Sequence, residues 1–364
     1  MSIKGIRVPH CKTTQDCATR PLLHPDEVTL IMAQHIGAPA DVCVEKGAAV
    51  FVGTKVGAAH GFVSADVHAS VSGTVKEITT VLTPTGLRAA AVVIKSDGCF
   101  TPDPALKPPS VHDAASLVEA VSHSGIVGLG GAGFPSHVKL SIPKGSAVDT
   151  LVVNGAECEP HITSDYRAML EDADAILDGA LTVQKHLGLQ RVVLAIEDNK
   201  PAAAALLREK AAGRCEVVTL KSSYPQGAEK VLIYNTTKRV VPMGKLPSDA
   251  GVLVFNVSTL AALSHYLTTG MPLVSRRVTV AGDAIEQPCN LLAPVGTSIR
   301  TLIEAAGGCA GEPEKLLMGG PMMGTALYTD AFPLLKNNNG ILALTKCSTD
   351  LPKNEPCIRC GRCV

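Results

Sequence analysis

Three cysteines near the end of the sequence have the spacing of ligands for an iron-sulfur cluster. Cys357, Cys360 and Cys363 form C-x2-C-x2-C, the opening of the bacterial ferredoxin run in which thiolates hold a [4Fe-4S] cube. A two-cluster domain takes about eight cysteines, so we expect a fragment in which these three thiolates hold no stable cluster by themselves. The other nine cysteines are predicted to be small buried hydrophobic residues: Cys11, Cys17, Cys43, Cys99, Cys158, Cys215, Cys289, Cys309 and Cys347.

A glycine-rich stretch at residues 128–135 is a second candidate for ligand binding. Gly128, Gly130 and Gly133 satisfy G-x-G-x-x-G, but that pattern marks a dinucleotide site only after a strand, and residues 115–121 have a helical pattern. So many glycines allow backbone N–H groups to approach a phosphate or a planar ring, at a helix N-terminus if Pro135 lies in the first turn. A tight turn that needs positive φ is the alternative.

Polar segments follow two predicted strands. Residues 154–160, which include Glu157 and Glu159, come directly after an apolar strand, and residues 256–260 end another strand and begin a helix. Ligands of open α/β sheets bind at the carboxyl ends of the strands, so both segments are candidate binding sites. The residues alone leave two alternatives open, a solvated loop edge for the two acids and a plain helix cap for Asn256.

The elements that must position these residues change in character along the chain. Residues 28–97 contain short strands separated by glycines, which predicts a small β-barrel or sandwich similar to biotinyl and lipoyl carriers. Carriers need an acceptor lysine, however, and residues 64–70 contain none. Residues 150–267 alternate strands with helices, which predicts a mostly parallel sheet covered on both faces. The predicted strands of the first part are residues 28–34, 42–45, 62–71 and 89–95. One long helix of the second part is predicted at residues 169–187.

The remainder of the chain has a third character. Residues 277–331 have a strand, a short helix and further strands, which suits a β-grasp unit, whereas residues 334–364 show little periodicity. Across the sequence, 33 basic residues balance 33 acidic residues, so no net field attracts nucleic acid or an anionic membrane. No apolar run reaches the roughly 18 residues needed to span a bilayer, and we expect a cytoplasmic protein.

The candidate segments together resemble the flavin subunit of respiratory complex I. That subunit carries Gly-Ala-Gly-Phe-Pro, Asn-x-x-Glu-x-Glu-Pro and Asn-Val-x-Thr-Leu around one FMN that accepts hydride from NADH, and all three recur here in the same order. Leu129 and Ala156 stand where complex I has Arg and Asp. In these details, and in residues 4–6, 34–39, 68–73 and 319–324, the chain is similar to the C subunit of Rnf-type electron transport complexes over nearly its whole length.

The resemblance implies an α/β multidomain protein with four parts. Residues 1–105 would form an N-terminal barrel-sandwich-hybrid-like β domain, and residues 110–272 a Rossmann-like α/β domain for FMN and NADH. Residues 273–332 would form a β-grasp (SLBB-like) domain. Residues 333–364 would be a tail with the truncated start of a ferredoxin-like 4Fe-4S domain.

The resemblance also implies the cofactors FMN and NAD(H), with 4Fe-4S clusters for which the motif here is incomplete. The residues implied for FMN are Gly128, Gly130, Gly131, Gly133, Asn154, Asn256 and Thr259. Those implied to lie nearer the nicotinamide nucleotide are Phe134, Lys139, Glu229 and, as the catalytic pair, Glu157 and Glu159.

The implied function is that of an NAD(H)-interacting flavoprotein and iron-sulfur subunit of an ion-translocating ferredoxin:NAD oxidoreductase. It would pass electrons between NAD(H), FMN and 4Fe-4S clusters, with the other subunits of the complex as partners and ferredoxin as an indirect one. Its place would be on the inner face of the cell membrane, attached through those partners. Two alternatives are a cobalamin reductase of the propanediol-utilisation type, which lacks this N-terminal start, and a docking scaffold with a vestigial flavin site.

Overall fold

The computed structural model describes residues 5–345, except Leu23 and Lys144. The predicted cluster ligands Cys357, Cys360 and Cys363 therefore lie outside the described residues. Within the described range, no helix combines the length and the apolar character that crossing a membrane requires.

The N-terminal part folds into two small antiparallel sheets that enclose an apolar core. One sheet has the strand order β2-β8-β7-β4 and the other β3-β5-β6, and valines such as Val56, Val67 and Val71 fill the space between them. The strands are β1 Thr19–Pro21, β2 Glu27–Ile31, β3 Asp41–Val42, β4 Ala49–Val50, β5 Lys55–Ala58, β6 Val67–His68, β7 Gly73–Leu82 and β8 Arg88–Ser96.

The predicted strand at residues 62–71 is wrong, because only Val67–His68 pairs as a strand. The residues before it satisfy backbone groups with side chains instead of a ladder: Ser64 Oγ donates to Ala38 O at 2.9 Å, and Asp66 Oδ1 accepts from Ala59 N at 2.8 Å. Strand β7, which the sequence did not predict, has mostly exposed side chains and therefore carries little apolar pattern.

The central part is a four-stranded parallel sheet with helices on both faces, as the alternating pattern predicts. The strand order is β11-β10-β9-β12, and separate apolar cores lie on its two sides. Its elements are α1 Ala114–Ser122, α2 Ser136–Leu140, β9 Thr150–Gly155, α3 Ser164–Glu171, α4 Ala173–Leu187, β10 Arg191–Glu197, α5 Pro201–Ala211, β11 Glu216–Leu220, α6 Glu229–Thr237, a 3₁₀ turn Pro247–Ala250, β12 Val252–Asn256 and α7 Val257–Thr269.

The helix predicted at residues 169–187 is two helices that meet at Asp172. This residue ends α3 and precedes α4 with φ −117° and ψ 26°, outside helical geometry. Its carboxylate accepts a hydrogen bond from Arg277 at 2.6 Å, a partner more than one hundred residues away that local periodicity does not reveal. The break lets α3 approach the site while α4 packs along the sheet.

Close packing of α4 against α7 fixes the helix that begins at the site. A Cβ atom on Gly179 of α4 would come within 2.2 Å of Leu260 O on α7, so only glycine permits this approach. Leu260 and Leu263 are buried at the same interface. The start of α7, and with it Ser258 and Thr259, is thereby held in place relative to β9 and β12.

The third part is a six-stranded sheet in the order β1-β14-β13-β17-β15-β16, with one helix against it. Its elements are β13 Ser275–Ala281, β14 Cys289–Pro294, α8 Ile299–Ala305, β15 Lys315–Met318, β16 Thr325–Leu327 and β17 Gly340–Leu344. Strand β17 pairs with both β13 and β15 inside a segment predicted to have little regular structure. All five residues of β17 are buried, so the strand has no alternation to detect.

The prediction that the scattered cysteines are buried is wrong for most of those described. Cys289 is buried, but Cys11, Cys43 and Cys99 are exposed, and the rest are half-buried. Cys99 lies in a turn after β8, where its backbone N donates to Asp97 Oδ1 at 2.8 Å. Residue type alone does not report whether a cysteine falls in a core strand or in such a turn. Cys347 lies outside the described residues.

A buried lysine joins the three parts. Lys336 is 1% exposed, and its ammonium donates to Asp66 O in the N-terminal part and to Gly125 O, at 2.9 Å, just before the glycine-rich loop. Burial lowers the pKa of Lys336 to about 7, and the charge of Asp66 opposes that shift. The loop at residues 128–133 is thus anchored at its base by a residue from the far end of the described chain.

Candidate functional site

Two asparagines mark the centre of the candidate site. Strands β9 and β12 are adjacent and parallel, and Asn154 and Asn256 are partners in their register. Both sit at the carboxyl ends of their strands, the edge where ligands of parallel sheets bind. The sequence predicts residues 154–160 and 256–260 each at the end of a strand, and the pairing of these two strands brings both segments to one edge of the sheet.

Asn256 joins helix α7 to helix α3. Its Oδ1 accepts from Ser258 N at 2.9 Å and caps α7, while its Nδ2 donates to Asp165 Oδ2 at 2.7 Å. Ser258 Oγ donates to the other carboxylate oxygen of Asp165 at 2.6 Å. Asp165 is 4% exposed. The helix-cap alternative is therefore correct for Asn256 Oδ1, and the amide nitrogen has a separate part in the site.

The glycine-rich loop lies directly against this pair of helices. Gly128 N donates to Phe134 O at 2.8 Å, which closes the loop, and Leu129 N donates to Thr259 Oγ1 at 3.0 Å. A Cβ atom on Gly130 would come within 2.5 Å of Asn256 Nδ2, so the backbone approaches the asparagine more closely than any other residue type allows. The loop is thus fixed to the carboxyl end of β12.

The outer turn of the loop presents free backbone donors. Gly130, Gly131 and Ala132 are exposed, and their amides donate to no acceptor in the part of the chain that the structure describes. Consecutive free N–H groups in a turn form a concavity that binds anions such as phosphate. The donor set therefore fits a phosphorylated cofactor.

Neighbouring parts of the chain hold the rest of this loop. Gly131 O accepts from Asn337 Nδ2 at 3.1 Å, and Gly133, with φ +73°, accepts through its carbonyl from Ile36 N at 3.2 Å. Phe134 is half-buried. Pro135 precedes the five-residue helix α2 and is not within its first turn. A helix of five residues offers no N-terminal anion site of its own, and the candidate donors are the loop amides.

Lys139 and Glu229 face each other across the carboxyl end of β12. Lys139 Nζ lies 2.5 Å from Glu229 Oε1 and donates to Val254 O at 2.9 Å. The two side chains are 26% and 43% exposed. The same ammonium lies 5.7 Å from the centre of the Phe255 ring. Both residues therefore remain accessible to a ligand.

Asn154 fixes the two loops that follow β9 and β11. Its Nδ2 donates to Gly227 O at 2.9 Å, and its Oδ1 accepts from Ala156 N at 3.0 Å. A Cβ atom on Gly227 would lie 2.9 Å from Ala156 O, so these loops are in close contact. Asn154 thus positions the segment that carries Glu157 and Glu159.

Glu159 contacts the third part of the chain. Its two carboxylate oxygens accept from Met322 N at 3.0 Å and Met323 N at 2.8 Å, and the side chain packs on Gly320. Burial raises the pKa of Glu159, and the two amide hydrogen bonds oppose that shift. Glu159 is only half-buried, so its carboxylate keeps an accessible face.

Glu157 points into the protein instead. It is 5% exposed, and its carboxylate accepts from Asp165 N at 2.7 Å at the start of α3. Lys12 Nζ lies 3.8 Å from its Oε2. Burial raises the pKa of Glu157 to about 7, with Lys12 opposing the rise. Its predicted contact with the nicotinamide nucleotide stays a prediction.

Sequence reasoning missed several residues that hold the site together. Asp165 bonds Asn256, and the buried Arg276 donates to Leu129 O at 2.9 Å and to Asn338 O at 2.9 Å. Burial lowers the pKa of Arg276 to about 10. Lys12 and Asn337 reach the two site loops from opposite ends of the chain. All are polar residues distant in sequence from the segments that they touch, and no local pattern indicates them.

Ten of the predicted site residues therefore lie in segments that contact one another, whereas the side chains of the other predicted residues that the structure describes do not share these contacts. The connected residues are Gly128, Gly130, Gly131, Gly133, Lys139, Asn154, Glu159, Glu229, Asn256 and Thr259, joined through the contacts above. Glu157 is buried behind them, and no ring contact with another aromatic residue is seen for Phe134 among the described residues. The predicted metal ligands Cys357, Cys360 and Cys363 lie beyond the described range.

The free amides of the loop, which lies against Asn256 and Thr259, fit the phosphate of a flavin mononucleotide. Family models agree with this arrangement part by part. Residues 2–99 match the RnfC barrel sandwich hybrid domain, residues 121–265 the Nuo51 FMN-binding domain, and residues 277–326 the SLBB domain. The chain therefore has the architecture of a flavin-domain electron-transfer subunit.

Comparison with curated proteins shows to which family of electron-transfer subunits the chain belongs. The chain is 44% identical over 99% of its length to the C subunit of the Na(+)-translocating ferredoxin:NAD(+) oxidoreductase complex of Acetobacterium woodii, and it covers 83% of that protein. It is 41% identical over 93% of its length to the proton-translocating counterpart of Clostridium ljungdahlii, with 75% of that protein covered. The chain belongs to the family of C subunits of Rnf-type ion-translocating oxidoreductase complexes, and the predicted resemblance is confirmed.

A third relative and a solved structure extend the comparison. The C subunit of the ion-translocating oxidoreductase complex of Rhodobacter capsulatus is 39% identical over the whole chain, which covers 72% of it. A chain of the NAD+-reducing [NiFe]-hydrogenase in the H2-reduced state superposes with a TM-score of 0.53 at 21% identity, over 64% of this chain and 47% of that one. At that identity the likeness is one of fold. The N-terminal match argues against the cobalamin-reductase alternative.

Proposed function

We propose that this chain is the NAD(H)-interacting flavoprotein and iron-sulfur subunit of an ion-translocating ferredoxin:NAD oxidoreductase complex. The free amides of Gly130, Gly131 and Ala132 beside Asn256 carry the proposal. They supply phosphate donors at the carboxyl end of the sheet, where no backbone partner among the described residues competes for them. The names of the relatives supply the oxidoreductase complex.

The proposed FMN site uses the connected residues in separate tasks. The loop amides bind phosphate, while Asn154, Asn256 and Thr259 hold the loop and strand ends that face the ring. When bound, FMN supplies exchange of two electrons with one partner and single electrons with another. Gly130 keeps the backbone close to Asn256, so the loop and the asparagine form one surface.

The proposed nucleotide site lies next to it. Glu159, Lys139 and Glu229 have accessible faces at the same edge of the sheet, and the half-buried Phe134 offers a planar surface. Glu159 supplies an acceptor for an amide or hydroxyl group of the nicotinamide nucleotide. Lys139 and Glu229 supply one donor and one acceptor. Glu157, buried behind the loop, contributes by fixing the segment that carries Glu159.

The proposed partners follow from the family. Relatives with this domain composition are named as subunits of complexes, and we place this chain with other subunits of such a complex, peripheral on the inner face of the membrane. Cys357, Cys360 and Cys363 are proposed ligands of a 4Fe-4S cluster, which takes four thiolates. Ferredoxin would exchange electrons with the complex and reach this chain only indirectly.

The experiment is reconstitution of the chain with FMN, followed by NADH-driven reduction of an artificial acceptor. We expect saturable FMN binding, release of free FMN on denaturation, and acceptor reduction that depends on both FMN and NADH. Gly130→Ala should lose FMN binding, because its Cβ would collide with Asn256. Gly188→Ala, at a left-handed position after α4 with open space around it, is the control for backbone strain and should keep it.

Each negative outcome has a different meaning. If FMN does not bind saturably, the proposed flavin site is wrong. If FMN binds but NADH reduces no acceptor at any pH tested, the chain is a flavin-binding scaffold and not an oxidoreductase subunit. Loss of FMN from Gly188→Ala as well would show that the Gly130 result reflects stability and not the site.

A further inference from the structure

The segment at residues 5–18, here called the leading segment, lies across both loops that bound the proposed nucleotide site. Ile6 and Tyr224 exchange backbone hydrogen bonds of 2.8 and 2.9 Å, and His161 N donates to His10 O at 3.0 Å. Thr14 Oγ1 lies 2.6 Å from Thr163 Oγ1. The leading segment therefore binds the loop after β11 and the acidic loop, residues 156–163.

Lys12 makes the densest contact of the leading segment. Its side chain is 9% exposed, and its ammonium donates to Glu157 O at 3.0 Å, Glu159 O at 2.8 Å and Ile162 O. An ammonium has three N–H donors, and all three are used by carbonyls of one loop. Three carbonyls of the acidic loop therefore surround the ammonium in the way that backbone carbonyls surround a bound cation.

The surrounding charges balance the ammonium. Glu157 lies 3.8 Å away, and Lys200 pairs with Glu197 at 2.7 Å behind it. Lys200 also reaches Glu157 O, at 3.4 Å. The two cations, Lys12 and Lys200, and the two carboxylates, Glu157 and Glu197, thus form one buried cluster. An apolar replacement of Lys12 would leave three carbonyls without this donor and the Glu157 carboxylate without the nearby positive charge, which is costly in a buried place.

The loop held by Lys12 determines where Glu159 points. The Glu159 carbonyl accepts from the Lys12 ammonium, while the carboxylate of the same residue accepts from the amides of Met322 and Met323. Without the ammonium, the carbonyls of Glu159 and Ile162 lose this donor and are free to turn toward water, and Glu157 O keeps only its 3.4 Å contact with Lys200. The carboxylate of Glu159 would then lose its fixed position.

We propose that Lys12 is a positioning residue for the nucleotide site, whose ammonium acts as a built-in cation that folds the acidic loop and aims Glu159. The effect on turnover rests on the proposed function, but the effect on the loop does not. Lys12 touches neither FMN nor nucleotide in this role; it acts through the backbone of the loop.

The first test follows the loop in the absence of any cofactor. Hydrogen exchange of the Met322 and Met323 amides reports whether Glu159 is held, because their only acceptor in the described structure is its carboxylate. Lys12→Met keeps the length of the side chain and removes the charge, and we expect exchange at these two amides to rise by about tenfold. Lys210→Met, which removes the half-buried partner of the exposed Asp174, should leave exchange at the two amides unchanged.

The second test uses turnover with FMN bound to saturation. We expect Lys12→Met to reduce kcat/KM for NADH by about 100-fold, the size of effect that follows from misplacing a binding group by an ångström, with the affinity for FMN unchanged. Lys12→Ala opens space for a small cation, and added propylammonium should restore part of the rate and of the amide protection. Propanol, which lacks the charge, and tetramethylammonium, which lacks N–H donors, should restore neither.

The outcomes separate this inference from the proposed function. Unchanged exchange at Met322 and Met323 in Lys12→Met would overturn the positioning role, whatever the enzyme assay shows. A Lys12→Met chain that does not fold would overturn it too, because the lysine would then be needed for the fold as a whole. Rescue by propanol equal to that by propylammonium would show that the side chain fills space and does not act as a cation. Failure of the unmodified chain to oxidise NADH contradicts the proposed function alone.

Discussion

Asn154 and Asn256 are register partners on neighbouring parallel strands, yet their side chains hold different parts of the site. Asn154 joins the loop after β9 to the loop that ends at Gly227, whereas Asn256 caps α7 and bonds Asp165 on α3. Two residues of the same type at the same level of the sheet thus fix four loops or helices. Their removal should have distinguishable consequences.

Asn256→Ala should reduce both stability and FMN affinity. Loss of the cap costs about 0.5 to 2 kcal/mol of the free energy of unfolding, and the loss of the bond to Asp165 leaves the glycine-rich loop without its support. Urea denaturation and FMN titration measure the two effects. Asp113→Ala removes the exposed cap of α1 and should lower stability by a similar amount while FMN affinity stays the same. Equal FMN affinity in Asn256→Ala and the unmodified chain would contradict this prediction.

Glu159→Gln should impair the use of NADH and leave FMN bound. A hydrogen bond to a charged group contributes roughly 1.5 to 3 kcal/mol, which corresponds to a decrease in kcat/KM of about 10- to 150-fold. Steady-state kinetics with saturating FMN is the measurement. Glu312→Gln makes the same change at an exposed position and serves as the control. An unchanged kcat/KM for Glu159→Gln would remove Glu159 from the nucleotide site.

Glu157→Gln should change how stability depends on pH. Burial raises the pKa of Glu157 from the usual 4.5 to about 7, so between these pH values the folded protein binds a proton that the unfolded chain releases. The stabilisation from the protonated carboxyl is fully present below pH 4.5 and is lost as the pH rises through 7. We therefore expect the free energy of unfolding of Glu157→Gln, measured by denaturation at pH 5, 6, 7 and 8, to rise relative to that of the unmodified chain as the pH rises. The relative increase should be at most about 1.4 kcal/mol per pH unit. A difference between the two proteins that stays constant across this range would contradict the raised pKa.

Lys139 and Glu229 should act as a coupled pair toward NADH. Because both side chains are partly exposed, their pairing contributes only about 0.2 to 1 kcal/mol to stability. Lys139→Met and Glu229→Gln should each raise the KM for NADH several-fold, and the double variant should raise it by less than the product. Lys139→Met should have the larger effect, since Lys139 also donates to Val254 O. Strictly multiplicative effects would show that the two residues act independently.

The sequence predicted the central sheet and the placement of its polar segments because both depend on local signals. Strands β9, β10 and β12 are apolar runs buried on both faces, and each is followed along the chain by a helix. The carboxyl-end rule then places residues 154–160 and 256–260 at one edge without knowledge of side chains. The glycine-rich loop was identified from composition alone.

The contacts that organise this edge were not predictable in the same way. Lys12 and Lys336 are charged residues in segments without periodicity, and they donate to backbone carbonyls that lie 145 to 270 residues away. Arg276 lies in strand β13 and likewise donates to a distant carbonyl, that of Leu129. A carbonyl carries no information in the sequence, so nothing pairs it with a distant lysine. For the same reason the sequence did not separate the buried Glu157 from the accessible Glu159, two residues along.

The contacts of the leading segment set an order of events during protein synthesis. Lys12 leaves the ribosome 145 residues before Glu157. Thr14 leaves it 276 residues before Asn290, whose side-chain amide donates to the Thr14 carbonyl. At about 5 to 20 residues per second, the first interval lasts roughly 7 to 30 seconds and the second about twice as long. Throughout the first interval the lysine has no carbonyls of the acidic loop to bind, and when that loop emerges it must capture a segment made long before. The acidic loop is therefore completed by a segment made much earlier, and a nascent chain whose leading segment stayed bound elsewhere would leave the carbonyls of this loop without the Lys12 ammonium.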